Sequence, residues 1–121
     1  MELRDLVKIL DCRIVAGEKN IAQNVDEVFA ADLMSDVLAF TKPGAVLLTG
    51  LTNVQSVITA HVAEAKAIVY VRGKQPDADA IRLAEQKGIP LLASPLPMFT
   101  ACGLLFEKGL KSESDTDTGR R

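Results

Sequence analysis

Asp26, Asp32 and Asp36 gather in one short stretch, the last two being four residues apart. A carboxylate pair at that spacing could ligate a divalent metal or divide acid and base duties. Loop and helix-cap duty is the plainer use of the same side chains, because aspartate oxygens accept hydrogen bonds from the orphan amides at a helix start. Ser35, between them, has no adjacent base to activate it as a nucleophile, and reads instead as the N-cap of a helix that follows. His61 is the single histidine, with Glu64 three residues on, within touching distance if the stretch is helical. Its place on an apolar stripe points to a half-buried packing or interface histidine rather than a catalytic one.

A second candidate is "VLLTGLTN", Val46 to Asn53, where a hydrophobic run meets Thr49 and Gly50 and then the cap-forming Thr52 and Asn53. Amides at a helix start could receive an anion there. Arg72 and Lys74 flank Gly73 at a second strand end and could meet the same anionic ligand. The glycine spacing matches neither G-x-G-x-x-G nor G-x-x-x-x-G-K-[ST], so no nucleotide fingerprint applies. The competing reading is a capped strand-to-helix corner that binds nothing.

The elements around these residues are legible in outline. Leu3, Leu6, Val7 and Leu10 mark one face of a helix over about residues 2–11. "RIVAGEKN" suggests a short strand and a turn at Gly17. Strands are expected at Val28–Ala31, Ala45–Thr49, Ala67–Val71 and Ile89–Ala93, the last three as continuous apolar runs of the kind buried on both faces. Between them the spacing predicts a short helix at about Asp36–Thr41, with Asp36 in its first turn. A second helix follows over 53–65, with Val54, Val57, Ile58, His61, Val62 and Ala65 on one face. A third, started by Asp77 or Asp79, runs to Lys87, with Gly88 just past its end. A last helix reaches about Leu110. It is apolar beyond a single stripe, so Phe99, Cys102, Leu105 and Phe106 become candidates for a subunit interface. Strand and helix alternate from Ala45 onward, so the fold class is α/β. One two- or three-layer domain is expected over residues 1–110, with a mainly parallel sheet and right-handed βαβ crossovers. Residues 111–121 carry no apolar side chain and read as a disordered polar tail.

Composition narrows the function classes. A chain of 121 residues suits one domain with its own core. The net charge of −2, the scattered lysines and arginines, one Tyr and no Trp give no electrostatic or stacking surface for nucleic acid. Cys12 and Cys102 stand alone, without the spacing of a metal site, and are expected to be free thiols in a reducing cytoplasm. The charged opening "MELRDLVKIL" is no signal segment, and no apolar run approaches the roughly 20 residues of a membrane span.

In this order and at similar spacing, "DLMSDVLAF", "VLLTGLTN", "AIVYVRGKQPD" and "AEQKGIPLLASPLPMFTACGLL" resemble the DRTGG domain family over about residues 14–106. Stand-alone members look like small cytoplasmic proteins of anaerobic bacteria. Related domains occur in phosphotransacetylases and between the CBS motifs of some inorganic pyrophosphatases. The N-terminal domain of HPr kinase/phosphorylase is also similar. The resemblance implies a regulatory or dimerising role, with chemistry in other domains. The signature itself is largely eroded here. The Asp-Arg pair falls on Leu51-Thr52 or Thr52-Asn53, and Thr-Gly-Gly falls on Val71-Arg72-Gly73, of which only Gly73 is kept.

The expectation is therefore a non-enzymatic regulatory or protein-interaction module that forms a homodimer, with no cofactor and no metal. The alternative is a sensor that binds a small anion or nucleotide among Asp32, Ser35, Asp36, Thr49, Gly50, Thr52, Asn53, Arg72 and Gly73.

Overall fold

The computed structural model describes residues 1–112. Its five strands are β1 (Arg13–Ala16), β2 (Val28–Ala30), β3 (Val46–Thr49), β4 (Ala67–Tyr70) and β5 (Leu91–Ala93). The helices are α1 (Leu3–Ile9), α2 (Met34–Phe40), α3 (Val54–Val62), α4 (Ala78–Lys87) and α5 (Met98–Glu107). They form one sheet in the order β1-β5-β4-β3-β2, parallel from β2 to β5, with β1 antiparallel on the far edge. Every residue of β3, β4 and β5 is buried, as the continuous apolar runs require of strands covered on both faces.

The sheet separates two cores, and the domain is three-layered. On one face Leu3, Leu6 and Leu10 near α1 and Ala101 and Leu105 of α5 pack on Leu48, Val69 and Leu92. On the other, Val37 of α2, Val57 and Ala60 of α3, and Ala80 and Ala84 of α4 pack on Leu47, Ile68, Tyr70 and Leu91. The parallel strands lie in sequence order, so three successive right-handed crossovers must place α2, α3 and α4 on the same side.

Local detail departs from the sequence reading at three points. Ser35 does not cap α2: Leu33 holds the N-cap position without a side-chain bond, and Ser35 lies one residue inside the helix. α3 is rotated from the expected phase. Its buried residues are Ser56, Val57, Thr59 and Ala60, while Ile58, His61 and Val62 are exposed, because a three-layer sheet leaves α3 covered only on its inner side and along its flanks. α5 ends at Glu107 and shows its apolar excess in two directions: Leu105 is 1% exposed, whereas Phe106 is 72% exposed. Leu105 is therefore part of the core of this chain, at the floor of the surface that Phe106 leaves exposed.

Other expectations hold. Asn53 caps α3 and Asp77 caps α4 by side-chain bonds. Gly88 closes α4 in the left-handed conformation. Gly17, also left-handed at φ 71°, lets the chain turn against β5, where a β-carbon would lie 2.6 Å from the Pro90 Cα. The polar tail expected over 111–121 falls outside the described residues from 113 on. Lys111 itself is part of the sheet's border, bridged in parallel to Glu27.

Candidate functional site

Register brings the first candidates together. Ala30 pairs with Leu48, so Asp32 and Gly50, each two residues further on, leave the sheet side by side. The Gly50 N–H donates to Asp32 Oδ1 at 2.7 Å, and Thr49 Oγ1 donates to the same oxygen at 3.1 Å. Thr49 Oγ1 in turn accepts from the Leu51 N–H, which satisfies a fully buried hydroxyl. Lys74 Nζ reaches over from the neighbouring loop to donate to the Gly50 carbonyl at 3.1 Å. The place where an anion would meet the Gly50 amide is thus held by the protein's own carboxylate.

The start of α3 is satisfied in the same way. Asn53 Oδ1 accepts from the Gln55 N–H, and the Ser56 N–H and Oγ both donate to the Asn53 carbonyl. Thr52 contributes its carbonyl to the Asp77 N–H, which ties the corner to the cap of α4. Beneath it the Tyr70 hydroxyl lies 2.8 Å from Ser56 Oγ in full burial. That burial pushes the phenol up to about 12; the Ser56 bond opposes the shift and the Asp77 charge adds to it.

Helices leave the ends of β4 and β5 on opposite faces, so this is where a crevice would open in a doubly wound fold. Here it is stitched shut. Arg72 and Gly73, at φ 63° and 71°, turn their N–H groups onto the carbonyls of Leu96 and Ser94 at 2.7 and 2.8 Å. Ser94 Oγ is buried and donates to the Leu10 carbonyl at 2.7 Å. The Arg72 side chain remains exposed beside this corner.

The other candidates scatter. Asp26 precedes β2 and Asp32 and Asp36 follow it, so the acidic group is split across the sheet, and the described residues hold no cluster fit for a metal ion. His61 is exposed near the C-terminal end of α3, where it borders a shallow polar depression with Glu64, Lys66 and Lys87. Burial raises both thiols, Cys12 to about 12 with Asp11 adding to the effect, which leaves neither as a thiolate nucleophile at neutral pH.

A broad concave surface lies elsewhere, and strand-end reasoning missed it. An open groove of about 610 Å³ runs along the outer edge of β2, between α2 and α5. Phe40, Phe99 and Phe106 stand around it at 60%, 88% and 72% exposure, and Cys102 and Asp36 belong to its lining. The expected interface residues Phe99, Cys102 and Phe106 therefore meet at one surface. The apolar excess of the last helix was the signal for it, but not for the part played by α2 and the sheet edge. Among the described residues, no helix is long and apolar enough to cross a membrane.

Comparison with known proteins adds the lineage. The family model described as the DRTGG domain matches residues 5–107. The crystal structure of the CBS and DRTGG domains of the regulatory region of Clostridium perfringens pyrophosphatase, complexed with the activator diadenosine tetraphosphate, superposes with a TM-score of 0.65 at 18% identity. The match covers 86% of this chain and 45% of that one, so this chain spans less than half of its neighbour. At that identity the likeness shows a shared fold. No curated protein matches.

Proposed function

The chain belongs to the DRTGG domain family, and from that premise we propose that it is a non-catalytic, cytoplasmic regulatory module that acts through contact with another protein chain and self-associates. One observation carries this reading. Asp32, Thr49 and Gly50 are occupied with one another, while three exposed phenylalanines surround an open groove on a sheet edge. Exposed apolar patches of that kind mark protein contact sites. Light scattering of the full chain across micromolar concentrations tests it: a dimer supports the reading, and a strict monomer that captures no partner counts against it.

A second reading, a sensor of small anionic or nucleotide ligands at the strand ends, draws support from the ligand in the neighbouring pyrophosphatase region. It requires the ligand to displace Asp32 from Gly50. A ligand that binds only the folded state must raise its melting temperature. A flat response to nucleotides and phosphorylated metabolites would remove this reading.

A further inference from the structure

Resting on the interaction reading above, we propose that a second copy of this same chain packs antiparallel on the outward face of α5, with the Phe106 ring of each copy seated over Gly103 of the other. The outer edge of β2 already has a partner in Lys111, bonded at Asp26 and Val28, so the approach is from the helix side of the groove. Phe99, Gly103 and Phe106 lie at i, i+4 and i+7, and all three are exposed along one face of α5. Gly103 is inside the helix, where glycine is a weaker helix former than alanine. Nothing among the described residues asks for it there. Its φ lies outside the left-handed range, and a β-carbon would meet no atom within 4 Å beyond its chain neighbours and its own helix backbone. The missing side chain leaves an open hole beside a projecting ring.

Ring and hole on a single face identify the occupant. A two-fold contact is self-complementary, so one patch must supply both halves of every contact. Phe106 and Gly103 stand about one helical turn apart. Antiparallel helices let each ring meet the other copy's hole, whereas parallel helices about a two-fold axis set like against like. The same register brings each Phe99 toward Leu110 of the other copy, itself part of the groove lining. Area agrees in scale. At their observed exposures Phe40, Phe99 and Phe106 offer roughly 400 Å² of ring surface per copy, about half of what a standard interface takes from each partner. The stretch 94–106 carries no charged residue, so nothing on it repels its own copy. The segment 113–121 has no apolar side chain with which to cover the rings instead.

Sedimentation equilibrium on the full chain tests this packing with Phe106→Ala, Gly103→Leu and the two together, each checked by circular dichroism for an unchanged fold. Phe106→Ala removes the ring and Gly103→Leu fills the hole, and each is expected to weaken the dimer by roughly tenfold or more. The double variant moves the projection to 103 and the hole to 106. It is expected to dimerise more tightly than either single variant, by roughly fivefold or more. Gly103→Ala separates the interface from the fold. It is expected to raise the melting temperature of the dilute monomer, because alanine favours the helix, and yet to weaken the dimer by about a few-fold. A dimer indifferent to these changes, or a double variant without rescue, overturns this packing and leaves self-association standing on another face. A wild type that is monomeric throughout overturns the interaction reading itself. A wild type that dimerises only after removal of 113–121 would assign the face to that segment and overturn the proposal.

Discussion

The Asp32 carboxylate accepts a 2.7 Å hydrogen bond from the Gly50 amide, and so occupies the one strand-end position best placed to hold an anion. Thr49 shares the same oxygen, and Lys74 closes over the Gly50 carbonyl. An internal carboxylate in that role is a structural clasp between the ends of β2 and β3, and it makes the corner a poor host for a phosphate.

Removing the clasp separates its two meanings. Asp32→Ala leaves the Gly50 amide and the buried Thr49 hydroxyl short of an acceptor, at a cost of about 1–2 kcal/mol. Asp32→Asn keeps an acceptor oxygen and should lose less. Thermal unfolding in buffer, with and without inorganic phosphate, checks both. A clasp predicts the lower melting temperature, with any phosphate response confined to Asp32→Ala.

Leu105 and Phe106 are neighbours with opposite fates. Leu105→Ala opens a cavity under α5 and should cost about 2–5 kcal/mol. Phe106→Ser removes a ring that is 72% exposed, and should leave stability within about 0.5 kcal/mol while weakening self-association. Denaturant titration and light scattering on the two variants read the two effects separately.

Gly17 and Gly73 share φ 71°, but only Gly17 is crowded by backbone. Gly17→Ala combines the left-handed penalty with a clash against Pro90, and should cost about 3 kcal/mol or more. Gly73→Ala meets open space and should cost about 1 kcal/mol, the conformational share alone. Chemical denaturation midpoints test the ordering.

Tyr70 is the only tyrosine, so phenolate absorbance reports on it alone. Its folded value is raised from 10.0 to about 12, chiefly by burial. Above pH 10 the unfolded chain gives up this proton while the folded chain retains it, so the unfolded state binds fewer protons. Stability is then fully present below pH 10 and declines as pH rises toward 12. Tyr70→Phe should flatten that decline. A phenol that titrates near 10 in the folded protein would contradict its burial against Ser56.

Much of the fold was written in local pattern. The apolar runs at Val46–Thr49 and Ala67–Tyr70 could only be interior strands, and Asn53, Asp77 and Gly88 marked helix ends by their own chemistry. Ser35 misled because α2 begins two residues earlier than expected and its start lacks any side-chain cap. The stripe through Ile58, His61 and Val62 misled because apolar spacing fixes a helix period but not which neighbour covers it.

The sequence by itself determined the α/β class, the parallel crossovers and the absence of a nucleotide fingerprint, since each follows from residues near one another in the chain. Only the tertiary structure decided three further things: that Asp32 meets Gly50 across the β2–β3 register, that the β4–β5 corner is shut by the amides of Arg72 and Gly73, and that Phe40 joins Phe99 and Phe106 around one sheet edge. Each is a contact between segments distant in sequence. Strand order and register set such contacts, and periodicity within one segment carries no record of them.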